Sequence, residues 1–365
     1  EIMPSLVGSE MCIRDSMNAG LIVIILLLVL SILGIPIYLA LGIGTLVALN
    51  MADMPFIVLP QKLFAGMNSS SLLAIPFFML AGNIMSRSIT GKLIDVSNAL
   101  IGWIKGSLAV VTVLASALFG AISGSGVATA SAVGGTTIPA MKEEGYPDHF
   151  AAAISGIAAI LGPIIPPSIT LIVYASITDL SVSKLFVGSV IPGILMAVGL
   201  IIYALFYGKK NDLPAHERKS AKEVLLIFKD SIWALLMPVI ILGGIFGGIF
   251  TPTESAAVAV VYALLVSLLI YKDIKIKDIP GIFVDGAIST ATILLLVGIS
   301  KSSGYVITTS GLPHQVLEVF SSFTNSTVVI LLLLNILFLV IGMLMEANAA
   351  IIMMTPILLL SLIHI

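Results

Sequence analysis

Charge is what this sequence has least of. Asp, Glu, Lys and Arg make up 10% of its 365 residues and sum to −2, whereas soluble domains carry roughly 25% charged residues. So small a charge gives no footprint for a nucleic-acid partner. The one cysteine, Cys12, excludes disulfides within the chain and thiolate metal sites. His149, His216 and His314 are far apart, stand at segment ends and read as surface histidines. No nucleophile–base arrangement stands out, and the GxxxxGK[ST] phosphate loop is absent. These absences argue against an enzyme and against any cofactor. What is abundant is apolar: 59% hydrophobic residues and a mean hydropathy of +1.18, in runs along the whole length. The chain reads as an all-α polytopic membrane protein.

The two ends look foreign. Residues 1–16 resemble translated sequencing-adapter read-through, and 361–365, closing in Leu362-Ile-His-Ile365, resemble the same adapter at the other end. A secretory signal is the competing assignment, but no basic start or apolar core precedes Met17. Met17 is therefore the expected native start, and the C-terminus is expected to be truncated. Without residues 1–16 the chain is neutral and has no cysteine.

Residues 20–50 are apolar but interrupted at Gly34-Ile35-Pro36. Proline breaks the helical ladder, so two helices, or one sharply bent one, are expected. Residues 51–71 read as a polar connection and Leu72–Met85 as the next apolar helix. Leu93–Trp103 has the spacing of an amphipathic helix along the membrane interface, with Asp95 on its polar face. Further on, an apolar segment, Phe150–Ile177, is broken at Gly162-Pro163 and again at Pro166-Pro167. Leu185–Tyr207, Ile232–Phe250, Ala256–Tyr271 and Ile282–Ile299 are expected to span. Lys209–Lys229 is the one substantial hydrophilic loop. With Lys272, Lys275 and Lys277 it holds nine of the sixteen Lys/Arg after Met17. Two spans separate these basic loops, so they share a side, and the positive-inside rule makes it the cytoplasm. Leu312–Phe323, carrying Glu318, is a second amphipathic piece. Val328–Met345 and Ala347–Leu360 flank Met345-Glu346-Ala347-Asn348.

The stretch 119–168 stands apart. It is rich enough in Gly, Ser and Pro to be a loop in a soluble protein, yet it lies between long apolar segments. Non-helical backbone survives at membrane depth only where it is buried in protein or lines a polar cavity, as in the broken helices of secondary transporters. Ser107–Phe119 enters it and Val127–Met141 leaves it, each shorter than the roughly 20 residues needed to cross. Lys105 precedes the pair and Lys142-Glu143-Glu144 follows. A re-entrant hairpin over about 107–142, its tip at Ser123-Gly124-Ser125-Gly126, explains both lengths and charged ends. Ser123, Ser125, Gly126 and Thr129 can offer hydroxyls and carbonyls to a small hard cation such as Na⁺. The alternative is small-residue packing between membrane helices, although Gly124 and Gly126 lie two apart rather than four. Pro163, Pro166 and Pro167, followed by Ser168, free carbonyls upstream; a hinge without a ligand is the alternative.

Four markers recur in the second half: Gly34–Pro36 with Gly248–Pro252, Ser88–Gly91 with Thr308–Gly311, Gly120 with Gly342, and Pro139 with Pro356. Their offsets are 214, 220, 222 and 217. They suggest two repeats, 17–207 and 231–360, joined by a loop at 208–230, with a second re-entrant hairpin at about 327–360. The span count gives the hairpins opposite orientations, an inverted repeat with its site between the two tips. Glu346 and Asn348, polar in an apolar context, are candidates because burying an ionisable group is costly; the alternative is a turn that reaches water. Thr251-Pro252-Thr253-Glu254 has the form of a capping box that starts a helix. Gly243-Gly244 and Gly247-Gly248 are expected to permit close helix packing.

Four motifs carry a resemblance: Ile75-Pro-Phe-Phe-Met-Leu-Ala-Gly-Asn83, Gly120-Ala-Ile-Ser-Gly-Ser-Gly-Val-Ala-Thr-Ala130, Leu161-Gly-Pro-Ile-Ile-Pro-Pro-Ser168 and Gly248-Ile-Phe-Thr-Pro-Thr-Glu-Ser-Ala-Ala257. Occurring in this order across Met17 to about Leu360, they resemble the large membrane subunit of tripartite ATP-independent periplasmic (TRAP) transporters. The resemblance implies an elevator mechanism in the bacterial inner membrane and Na⁺-coupled import of an organic acid, a dicarboxylate or sugar acid. It also implies a periplasmic binding protein that delivers the substrate and a small membrane subunit alongside. Carried over by position, a first Na⁺ site uses Ser123, Ser125 and Gly126 with the carbonyls around Pro163 and Pro166. A second uses the hairpin at Glu346, where the family usually has Asp. A stand-alone ion-coupled anion transporter of related architecture is the alternative function. A membrane enzyme would need a clustered acid, base or metal set in the spans, and a purely structural anchor would not need broken helices.

Overall fold

The computed structural model describes residues 19–215, 218–312, 315 and 326–364, among which there is no strand. Residues 1–16, His216, His314, Glu318 and most of Leu312–Phe323 lie outside them. The helices in order are α1 (Ala19–Ile32), α2 (Ile37–Met51), α3 (Val58–Met67), α4 (Ala74–Ser88), α5 (Thr90–Ile101) and α6 (Ser107–Ser123). Then follow α7 (Gly126–Thr129), α8 (Gly135–Glu143), α9 (Asp148–Ala159), α10 (Leu161–Ile164), α11 (Ile169–Thr178) and α12 (Val182–Lys210). The last are α13 (Ala221–Phe246), α14 (Pro252–Leu265), α15 (Ile279–Thr309), α16 (Thr327–Leu344) and α17 (Ala347–His364).

By length and composition, α12, α13, α14 with its π-helical extension to Ile270, and the run Ile276–Thr309 can each cross a bilayer. Asp148–Ile164 together with α11 is as apolar but bent by 44°, as a broken span or a re-entrant loop is. The protein is thus an all-α polytopic membrane protein. Its chain divides into two compact units. One holds residues up to Leu72, Ser176–Asp179 and Ala291 onward; the other holds Leu73–Ala175 and Leu180–Thr290.

In the first unit, α1 and α2 fold back at Gly34, whose φ of +82° favours glycine, with Pro36 leading into α2. Their shared face is apolar, with Leu27, Leu41 and Leu49 in one core with Ile299 and Val306 of α15. Polar groups in that core pair with one another. Thr45 Oγ1 lies 2.6 Å from Ser303 Oγ, and Ser302 Oγ donates to Leu59 O at 2.8 Å.

In the second unit, α4 packs against α14, α5 against α6 and α13, and α6 against α9 and α12. The capping box at Thr251 is formed: Glu254 N donates to Thr251 Oγ1 at 3.3 Å and Thr251 N to Glu254 Oε2 at 2.8 Å. A second box, Ser220 with Glu223, starts α13.

Three expectations are corrected. Residues 51–71 hold α3 and a 3-10 turn, because Pro60 falls in a first helical turn, where its missing N–H costs nothing. The Lys209–Lys229 loop shrinks to 211–220, since α12 continues to Lys210 and the Ser220 cap starts α13 early. The segment from Asp148 is interrupted twice, as expected: at Ile160 between α9 and α10, where Pro163 has no N–H for Ala159 O, and at Ile165–Ser168, around the Pro166–Pro167 peptide. Gly243, Gly247 and Gly248 approach no neighbouring helix. They make the C-terminal turn of α13, where Gly244 leaves room for Phe250 and Gly248 takes φ +69°.

Candidate functional site

Helix α6 ends at a glycine for a steric reason. Gly124 adopts φ +62°, and a Cβ there would stand 2.6 Å from Pro167 O and 3.1 Å from Ile169 N. The turn hands the chain to Ser125, extended at φ −128° and ψ 127°, whose Oγ caps α7 by accepting from Ala128 N at 3.3 Å. From there α7, a π turn over Ala130–Gly134 and α8 return along α6. Both arms start and finish at one base. Gly106, before α6, meets Gly208 of α12 backbone to backbone, and Lys105 pairs with Asp212. In the last turn of α8, Lys142 bridges to Asp148 at 3.1 Å, and beyond it Phe150 stacks on Tyr207 at 3.7 Å.

The second break meets the first. Ile169 N donates to Gly124 O at 3.3 Å. Pro167 has no N–H for the carbonyl of Pro163, four residues back; the Ser168 hydroxyl donates to that carbonyl instead and accepts from Leu171 N at 3.2 Å. Pro163 likewise cannot donate to Ala159 O, and that carbonyl faces Gly126, 3.4 Å from where its Cβ would be. Gly162 is closer still: its Cβ would stand 2.8 Å from both Ser125 O and Thr129 Oγ1. Helix α12 measures the depth. Gly193 packs against Ile165, seventeen residues before Lys210, so the tips lie about 25 Å from the hairpin base.

At this junction the oxygens converge. Thr129 Oγ1 donates to Ser125 O at 2.7 Å. Ser123 Oγ lies 3.5 Å from Ser125 O and 3.4 Å from both Thr129 Oγ1 and Ser125 N. Thr129 is fully buried and Ser123 is 2% exposed. A normal O–H···O bond is 2.5–3.0 Å long, so the Ser123 hydroxyl is buried with only long contacts. Buried polar groups nearly always find partners, and an under-satisfied one is a mark of function or of a missing ion. The donors are uncharged hydroxyl and carbonyl oxygens, which suit a hard cation. Among the described residues there is no group of three or more His, Cys, Asp or Glu.

The structure therefore brings Ser123, Gly124, Ser125, Gly126, Thr129, Pro163, Pro167 and Ser168 together, with buried Pro166 in the same turn. Glu346 and Asn348 belong to the other unit. There Met345, extended at φ −147° and ψ 161°, separates α16 from α17. Asn348 Nδ2 donates to Glu346 Oε1 at 2.6 Å, and Glu346 O accepts from Ala350 N at 3.0 Å.

Two participants were not anticipated. Ala159 offers a backbone carbonyl, and counting four residues back from Pro163 would have found it. Gly82 of α4 lets Ser123 approach, its Cβ falling 3.2 Å from Ser123 Cα; only tertiary structure shows this.

Comparison with known proteins gives a consistent result. The family model described as "Tripartite ATP-independent periplasmic transporter, DctM component" matches residues 24–364. The chain is 41% identical over 329 residues to the protein YgiK of Salmonella typhimurium, covering 89% of this chain and 75% of that protein. It is 40% identical over 297 residues to the C4-dicarboxylate TRAP transporter large permease protein DctM of Pseudomonas aeruginosa, covering 81% and 70%. The isethionate TRAP transporter permease protein DctMQ of Oleidesulfovibrio alaskensis is 36% identical over 331 residues, covering 90% of this chain and 52% of that protein.

Proposed function

The chain belongs to the DctM family of TRAP transporter large permease subunits, and on that premise we propose that it imports an organic acid with Na⁺ as the coupling ion. As a TRAP large permease it is an inner-membrane transporter subunit and not an enzyme. It works with a small membrane subunit and a periplasmic binding protein. Relatives named for a C4-dicarboxylate and for isethionate share acidic small-molecule cargo, and in our proposal the binding protein selects among such acids.

One observation carries the cation assignment: the buried Ser123 hydroxyl, with long contacts only, beside Ser125 O and Thr129 Oγ1 where two broken helices meet. Ser123, Ser125 and Gly126, with the carbonyls around Ala159, Pro163 and Pro166, form the first Na⁺ site. The Glu346–Asn348 turn supplies the second. Na⁺ there neutralises charge brought in with the anion, so cation and acid cross together. An elevator movement of the hairpin-bearing domain, with the two halves as inverted repeats, would carry both across.

The test uses the protein with its small subunit and binding protein in proteoliposomes. Uptake of labelled organic acids is followed with and without a Na⁺ gradient, in wild type, Ser123→Ala, Thr129→Val and Glu346→Ala. Uptake that needs both Na⁺ and the binding protein, and is lost in the variants, supports the proposal. Uptake indifferent to Na⁺ sinks the cation site; uptake without the binding protein points to a stand-alone anion transporter.

A further inference from the structure

Away from the hairpin, the end of α5 and the segment leading into α13 frame an open groove of about 530 Å³. Leu100, Val224, Leu225 and Phe228 give it an apolar floor, and Trp103, Arg218 and Lys219 line it as well. Leu225 is 71% exposed and Leu100 and Trp103 are each 46% exposed, so large apolar side chains lie uncovered beside cations. The Arg218 guanidinium is 5.1 Å above the Trp103 ring. The ion pairs among the described residues are Arg87–Asp285, Lys105–Asp212 and Lys142–Asp148, which leaves Arg218 and Lys219 without a carboxylate at bonding distance. Glu223, toward which Lys219 exerts a favourable charge interaction, accepts from the Ser220 N–H at 2.8 Å in the α13 cap.

We propose that this groove binds one anionic phospholipid of the cytoplasmic leaflet. Three features define the occupant. Gly106, three residues after the groove's Trp103, meets Gly208 at the end of α12 that carries Lys209 and Lys210, an end that the positive-inside rule places at the cytoplasmic surface. Tryptophan favours the headgroup level of a bilayer. A phosphodiester satisfies Arg218 and Lys219 at once, while an acyl chain covers Leu100, Leu225 and Phe228. The paired cations select an anionic headgroup over a zwitterionic one. Such a lipid would tie α5 to α13.

Native mass spectrometry of the purified protein, released from nanodiscs of equal phosphatidylglycerol and phosphatidylethanolamine, tests this. We expect retained phosphatidylglycerol to exceed phosphatidylethanolamine on the order of tenfold. Arg218→Gln with Lys219→Gln should bring the ratio near unity with an unchanged thermal midpoint. Lys275→Gln with Lys277→Gln, which removes the same charge elsewhere, should leave it intact. A photo-crosslinking residue at Leu225 should capture lipid. Equal retention of both lipids by wild type, an equal loss in the control pair, or a crosslink to the small subunit instead of lipid would each overturn the proposal.

Discussion

Gly162→Ala offers the sharpest test of the hairpin junction, because local and tertiary energetics pull it in opposite directions. Gly162 lies in the short helix α10, where alanine is intrinsically better by at most about 1 kcal/mol. Its Cβ, however, would fall 2.8 Å from Ser125 O, 2.8 Å from Thr129 Oγ1 and 3.0 Å from Ser125 C. Ordinary contact begins near 3.4 Å, so Ser125 and Thr129 must retreat by about 0.6 Å, well beyond the roughly 0.2 Å tolerance of ligand distances at a metal site. Overpacking of this kind costs about 1–3 kcal/mol, which leaves a net loss of roughly 0–2 kcal/mol after the helical gain. Na⁺ binding should suffer more, weakening at least about tenfold, or about 1.4 kcal/mol. Two readouts separate the terms: the Na⁺ concentration for half-maximal uptake in proteoliposomes, and the Na⁺-induced rise in thermal midpoint, which mass action ties to affinity. Gly156→Ala in the preceding helix α9, with nothing within 4 Å of its Cβ, is the control and should be neutral or slightly stabilising. A folded Gly162→Ala protein with wild-type Na⁺ dependence would refute the assignment of Ser125 O and Thr129 Oγ1 as ligands.

Gly124→Ala should be worse for folding: the left-handed conformation costs a non-glycine residue about 1–2 kcal/mol, and the 2.6 Å approach to Pro167 O adds to it. Its thermal midpoint should fall well below that of Gly91→Ala, whose Cβ meets nothing within 4 Å; equal midpoints would contradict the geometry. Thr251→Ala removes the cap of α14 and should cost about 1 kcal/mol, recovered in Thr251→Ser, while uptake per folded molecule stays constant. At the hairpin base, outside the spans, burial first and the Glu144 charge second push the Tyr146 hydroxyl up to about 12 from 10.0. The unfolded chain ionises first as pH rises, so this contribution is intact below about pH 10 and is lost progressively toward pH 12. Tyr146→Phe should flatten that part of the alkaline stability profile, and an unchanged slope would exclude Tyr146 as its source.

What the sequence made legible was local. The turn at Gly34-Ile35-Pro36, the capping box at Thr251 and the break at Ser123–Gly126 each depend on residues within a few positions of one another. The early start of α13 was also readable, since Ser220-x-x-Glu223 is a capping box, but the surrounding lysines suggested a loop. Hidden altogether were contacts between segments far apart in the chain: Ile169 N on Gly124 O, and Gly162 against Ser125 and Thr129. Periodicity says which face of a helix is apolar, not which backbone meets which.

A site made largely of carbonyls has a further consequence, because a carbonyl has no residue identity to read or to delete. Ala159 O can be a ligand only because Pro163 leaves it without its helical N–H, so the residue to change is the proline. Pro163→Ala restores that donor. The substitution should stabilise the fold by up to about 3 kcal/mol, the helix-interior difference between the two residues, less whatever the lost ring contact near Gly126 contributes. At the same time the new N–H occupies Ala159 O, turning it away from Gly126 and into the helix ladder. The expected result is therefore a higher thermal midpoint without Na⁺ together with a smaller Na⁺-induced rise and a higher half-saturating Na⁺ concentration. Gain in stability with undiminished Na⁺ response would remove Ala159 O from the site and leave the Ser123–Thr129 oxygens to hold the ion. No gain in stability would mean that the Ala159 carbonyl was already satisfied, and that the proline frees nothing for a cation to use.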